Sequence, residues 1–172
     1  MYYYTTREHQ DKINSLAGVI LNGAYGSGKS VMMSAFCRVL NDLQFCGKEQ
    51  IEEVHALELS DYIRQKGPIA YARKPLLIQD LGKEDKSVNA WGTLINPISN
   101  LLAIRAEYGA LTFGSTNMDT KMFTEHYREY ITKRMVEHVN LVYLPGKSRR
   151  RSILNMGNTC KMESFHFSTA QK

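Results

Sequence analysis

The chain has 172 residues, 43% hydrophobic and 23% charged, with a formal net charge of +5. That length suits one domain with a core of its own, and that composition excludes a wholly disordered chain. No apolar run approaches the ~20 residues that cross a bilayer, and the N-terminal MYYYTTREHQ lacks the basic-then-apolar order of a secretory signal, so the expected compartment is the cytoplasm.

Residues 6–16 are compatible with a short helix. AGVILNG then holds a brief apolar run, Val19 to Leu21, closed by a glycine turn, which predicts a buried strand. From Ser30 to about Leu43 the pattern is helical, with Phe36, Val39, Leu40 and Leu43 at the spacing of one inward face. VHALELSDYIRQKG predicts a strand near 54–58 and a helix capped by Ser60 and stopped at Gly67-Pro68. LLIQD is a further strand. In NPISNLLAIRAEYG, Asn96 can cap a helix, Pro97 suits its first turn and Gly109 can end it. ALTFGSTN is a strand, residues 119–137 are mostly helical, and HVNLVYL is a last strand ended by Pro145-Gly146.

Strands alternating with helices predict an α/β fold, a doubly wound and mainly parallel five-stranded sheet with helices on both faces. Residues 1–151 form the expected core, and 152–172 a tail in which periodicity fades. The cysteines, Cys37, Cys46 and Cys160, are odd in number and lack C-x-x-C spacing, which argues against a disulfide framework or a zinc site. Cys37 falls in a helical pattern and suits the core. GKSRRRS gathers Lys147, Arg149, Arg150 and Arg151, a run that suits either solvent or phosphate groups, those of nucleotide or of DNA.

GAYGSGKS matches G-x-x-x-x-G-K-[ST], between a strand and a helix as the motif requires. Gly23, Ala24, Tyr25, Gly26, Ser27 and Gly28 supply a backbone that curls around phosphate oxygens, and the glycines allow it without Cβ clashes. The helix that starts near Lys29, Ser30 and Val31 points its positive end at the same anion. Lys29 is placed to reach the β- and γ-phosphates of ATP, and Ser30 to offer its hydroxyl to Mg²⁺. Strand ends at the C-terminal edge of such a sheet hold ligands, which puts Ser115, Thr116 and Asn117 there. Asn117 both donates and accepts hydrogen bonds, as positioning an attacking water requires. Asp80 ends LLIQD as the candidate acid.

With these residues in order, the chain resembles the DnaC-type helicase loaders and the IstB-type transposition ATPases, a branch of the AAA+ proteins. The resemblance lies in GAYGSGKS, LLIQDLGKE, LTFGSTN and YITKRMVEHVNLVYLPGKSRR, and spans roughly residues 13–151. It implies a P-loop ATPase core, here without a clear C-terminal lid, that uses ATP and Mg²⁺ and assembles as a homo-oligomer when ATP is bound. Single-stranded DNA and a replicative helicase or transposition partner are the implied partners. By the same resemblance Arg134 is an arginine finger for a neighbouring subunit, Arg150 (with Arg149 adjacent) is a later basic residue near the phosphates, and Asp80 and Asn117 are catalytic.

Two departures stand out. Fewer than ~20 residues precede the first strand, too few for an independent partner-binding domain. Related proteins also read acid–acid before LG, whereas this chain reads Gln79-Asp80. In one register Gln79 takes the place of the metal acid, which predicts sound ATP binding and weakened hydrolysis. In the other register Asp80 is itself the metal acid, beside Ser30. A nucleotide-gated adaptor with little turnover is the second reading, and a small-molecule kinase the third.

Overall fold

The computed structural model describes residues 18–86, 88–90, 93–146 and 148–149. The helix expected at 6–16, the basic residues Lys147, Arg150 and Arg151, and the tail 152–172 lie outside them.

Strands β1 (Gly18–Asn22), β2 (Glu52–His55), β3 (Leu76–Leu81), β6 (Thr112–Thr116) and β7 (Val139–Tyr143) form the main sheet. They run in the order β2-β3-β6-β1-β7, and every pairing is parallel. A short antiparallel pair, β4 (Val88–Ala90) with β5 (Thr93–Ile95), stands apart; hydrophobic periodicity gives no notice of it. The helices are α1 (Lys29–Asp42), α2 (Ala56–Lys66), α3 (Pro97–Glu107), α4 (Thr120–Tyr127) and α5 (Glu129–His138). Among the described residues no helix is long and apolar enough to cross a membrane.

The two faces of the sheet are covered unequally. On one, α2, α3, α4 and α5 pack through Leu59, Ile98, Leu101, Tyr127 and Ile131 against Ile78 and Leu81 of β3. On the other, α1 packs through Met33 and Cys37 against Leu21, Leu77 and Phe113. Along β3 the residues facing both ways are buried, as a strand covered on both sides requires, except Asp80 near its end, which is half-buried. Burial pushes the Cys37 thiol up to about 12, so it is an inert core group.

The helix punctuation follows the sequence in part. Asn96 caps α3 by accepting from the Ser99 amide at 2.8 Å, with Pro97 in the first turn. Gly67, at φ 80°, ends α2. Two expectations are corrected. The inward face of α1 is Lys29, Met33 and Cys37, with Leu40 of the expected stripe half-buried against the same core, while Phe36, Val39 and Leu43 are 44%, 54% and 72% exposed. The phosphate loop fixes where the helix begins, and Lys29 must turn inward, so the helix is rotated away from its most apolar stripe. Second, α2 starts at Ala56, just after a strand that ends at His55, and Ser60 lies buried inside the helix rather than at its cap. The stretch 119–137 is mostly helical as expected, with one break at Arg128, whose φ of 71° is left-handed. Asp119 starts the first piece by accepting from the Met122 amide at 2.8 Å.

Arg105 ties down the edge where the strands begin. It is fully buried and donates to the carbonyl oxygens of Tyr71, Lys74 (2.9 Å) and Leu111 (2.7 Å) and to Thr112 Oγ1 (3.1 Å). Burial lowers its pKa to about 10. Its partners are neutral acceptors, so the planar fork of donors, rather than an ion pair, compensates its lost hydration. Arg105→Met should leave those buried acceptors unsatisfied, at about 1–3 kcal/mol each. Urea unfolding should show a total loss of at least about 3 kcal/mol, with Arg105→Lys recovering only part of it. A loss under about 1 kcal/mol for the Met variant would disprove this anchoring role.

Candidate functional site

The site lies at the opposite edge, where the strands end. Between β1 and α1 the chain turns on glycines. Gly28, at φ 97°, is the N-cap of α1 in a left-handed conformation that residues with a Cβ adopt at a cost. No side chain caps this helix end, so the amides of its first turn are directed at whatever anion lies before them. The chain leaving β7 crosses back over the loop: Leu144 N–H donates to Asn22 O at 2.8 Å and Arg149 N–H to Gly26 O at 2.9 Å. A Cβ on Gly23 would stand 2.5 Å from the Leu144 carbonyl oxygen, so this crossing depends on glycine.

Together these segments enclose a cleft of about 270 Å³. Its walls include Tyr25, Gly26, Gly28, Lys29, Ser30 and Val31 from the loop and α1, Asp80 and Lys83 from the end of β3, Asn117 from the end of β6, and Arg149. Lys29 is 5% exposed. Its ammonium donates to Ala24 O at 2.8 Å and Asn117 Oδ1 at 2.7 Å, with Ser27 Oγ at 3.5 Å. The sequence-predicted residues Gly23, Ala24 and Ser27 thus belong to the loop that holds Lys29. Asn117 meets Lys29 across the cleft.

Behind Ser30 lies a buried polar hub built on Gln79, which is 1% exposed. Its Nε2 lies 3.1 Å from Ser30 O, 3.1 Å from Ser34 Oγ and 3.0 Å from Glu53 Oε1. The first and last of these only accept, which fixes the amide's orientation. Its Oε1 accepts from Ser115 Oγ at 2.5 Å. The NH₂ group thus faces the main-chain oxygen of Ser30, and the amide oxygen faces Ser115. Asp80 follows on a bulge. Pairing with β6 slips between Ile78 and Leu81, and Asp80 sits at φ 59° with its N–H donating to Ser115 Oγ at 3.0 Å. Gln79 lies beneath Ser30, and Asp80 opens into the cleft.

Asp80 is bound there by Lys83, whose ammonium is 2.7 Å from Oδ2. A buried anchor holds the turn that carries Lys83. Glu84 accepts from the Gly82 amide at 2.9 Å and from the Tyr127 hydroxyl, with His126 Nε2 at 3.3 Å. Burial, then the charge of Glu84, pushes the Tyr127 hydroxyl well above its ordinary range. Sequence reasoning missed both Lys83 and Glu84. Their signal was present in LGKED, since a glycine turn after the strand folds the next residues back over its end.

Two predicted site residues do not join the cleft. Arg134 lies on α5 and pairs with Glu107 of α3 at 2.9 Å, both about half exposed. Arg150 is outside the described residues, while its neighbour Arg149 lines the cleft. The groups expected to meet Mg²⁺ are Ser30 and Asp80. As a donor set they do not fit a firmly held divalent cation. Ser30 Oγ lies 3.4 Å from Ser115 Oγ, Asp80 already has a lysine on it, and Gln79 brings no charge, its amide being engaged by Ser30 O, Ser34, Glu53 and Ser115.

No family model matches the sequence, and no curated protein matches it. Among solved structures, AMPPCP-bound DnaA from Aquifex aeolicus is similar, with a TM-score of 0.53 at 12% identity over 80% of this chain. The chain spans 44% of that structure's length. The fold is that of a P-loop NTPase domain of the AAA+ type, with its all-parallel sheet and the loop between β1 and α1.

Removing the Glu84 carboxylate tests the anchor. Glu84→Ala should leave the Tyr127 hydroxyl and the Gly82 amide without an acceptor and cost about 3 kcal/mol in denaturant unfolding. Glu84→Gln, which keeps an oxygen in place, should cost less. Equal losses for the two variants would sink the assignment.

Proposed function

We propose that this chain is an ATP-binding P-loop protein of the helicase-loader and transposition-ATPase type, which assembles on DNA through ATP-bridged subunits and hydrolyses ATP slowly. The observation that carries the ATP site is the convergence on one cleft of the uncapped N-terminus of α1, the buried Lys29 and Asn117. A phosphate chain laid along the loop would take the Lys29 ammonium from Ala24 and Asn117, and Asn117 would then be free to hold a water at the terminal phosphate. Asp80 is the acid nearest to that water, and Arg149 adds a cation at the cleft wall. The AMPPCP held by the similar DnaA supports a nucleotide as the ligand.

The loader-type role rests on the sequence resemblance and on Arg134. Its side chain is turned away from its own cleft, as an arginine acting on a neighbour's nucleotide must be. Single-stranded DNA and a replicative helicase or transposition partner are the partners this role carries. The Gln79 hub favours a second reading, an adaptor gated by nucleotide with very little turnover, because the hub puts an amide where an acid would assist hydrolysis.

Lys29→Ala should abolish ATP binding in calorimetry while circular dichroism remains native; unchanged affinity would refute the ATP site. Arg134→Ala should bind ATP normally, because it lies outside the cleft, and lose phosphate release by a factor on the order of 10³ if it acts across an interface. Mixing it with Lys29→Ala chains, which still offer Arg134, should restore part of the turnover. Full activity of the Arg134 variant alone would remove the finger role. Phosphate release that stays absent in the unaltered chain, with or without single-stranded DNA, would favour the adaptor.

A further inference from the structure

The charges around the cleft are unbalanced in a way that a metal-dependent site does not need. Among the described residues that line it are three cations, Lys29, Lys83 and Arg149, and one carboxylate, Asp80. Mg²⁺ in nucleotide sites is held by one or two carboxylates besides the phosphates and keeps several waters, which nearby acceptors orient. Here the carboxylate is occupied by Lys83 at 2.7 Å, and the strand residue before it is an amide whose oxygen accepts from Ser115.

Lys83 is half exposed but not a loose surface lysine. Its backbone N–H donates to Asp80 O at 3.1 Å, Gly82 turns the chain at φ 91°, and Glu84 fixes the turn from behind through Gly82 and Tyr127. The ammonium therefore stays at the mouth of the cleft on a short tether. A phosphate group offers it a more highly charged partner than Asp80 does.

Resting on the reading of the cleft as an ATP site, we propose that Lys83, with Lys29 and Arg149, supplies the positive charge that a divalent cation supplies elsewhere, so that this cleft binds ATP without a metal. The Lys83 ammonium has three N–H donors, so it can meet a phosphate oxygen while it still holds Asp80.

The test is the affinity of the full chain for a fluorescent ATP analogue, measured in excess EDTA and in Mg²⁺. The Kd should differ by less than about fivefold between the two conditions, since charge attraction to a metal contributes little here. Lys83→Met should weaken binding in EDTA by about tenfold or more, and Lys83→Arg should retain it. Gln79→Asp should make binding metal-dependent. A loss of about fivefold or more on chelation in the unaltered chain overturns the proposal, as does a Lys83→Met loss in EDTA below about tenfold. Absence of binding in both conditions rejects the ATP site itself, a result distinct from binding that needs Mg²⁺.

Discussion

The side-chain amide of Gln79 is the constraint on which the cleft's geometry depends. It sits beneath the first turn of α1 and touches α1 through Ser30 and Ser34, β2 through Glu53 and β6 through Ser115. A buried amide with partners on three elements holds those elements in one arrangement, because any shift leaves a desolvated donor or acceptor unpaired. This explains why α1 is rotated away from its apolar stripe. The helix is oriented by polar groups at its N-terminus, and Met33 and Cys37 are the side chains which that orientation brings to the sheet.

The two edges of the sheet divide the work. Where the strands begin, Arg105 gathers the carbonyl oxygens of Tyr71, Lys74 and Leu111 around one buried guanidinium. Where they end, backbone donors at α1 and the side chains of Lys29, Lys83 and Arg149 face an open cleft. Like charges gathered at one edge repel one another. The Lys83–Asp80 and Lys29–Asn117 contacts temper that repulsion. Site and anchor are thus built from opposite ends of the same strands, so a change at the cleft can alter binding without loosening the far edge.

Much of this was legible in the sequence where a local chemical demand is sharp. GAYGSGKS names its own backbone geometry, Asn96-Pro97 marks the start of α3 by capping chemistry, and a continuous apolar run places β3 at the sheet's interior. The misses share a cause: long-range groups decide the outcome. The face of α1 is set by Lys29 and Gln79, not by its own hydrophobic spacing. The start of α2 at Ala56 follows from where β2 stops pairing with β3. The break at Arg128 and the bulge at Asp80 are left-handed backbone positions on residues other than glycine, which composition does not announce. Arg134 was visible as a helical arginine, but its pairing with Glu107 joins helices distant in the chain.

The strand order has a consequence in time. β1 is made first among the described strands, yet both its neighbours are late: Ile20 pairs with Gly114 of β6, and Gly18 with Val139 of β7. Until those residues leave the ribosome, β1 has no partner, and the loop it bears has no support for its curl. The early segment β2-α2-β3 can pair with itself meanwhile. Loop-closure entropy makes such distant pairings slow, so the N-terminal strand must wait as an apolar, unpaired segment, the kind of species that aggregates or engages chaperones. The crossing of Leu144 and Arg149 over the phosphate loop comes later still. The cleft is therefore the last part of the described fold to form, and no ligand can be held there before the core around it is all but complete.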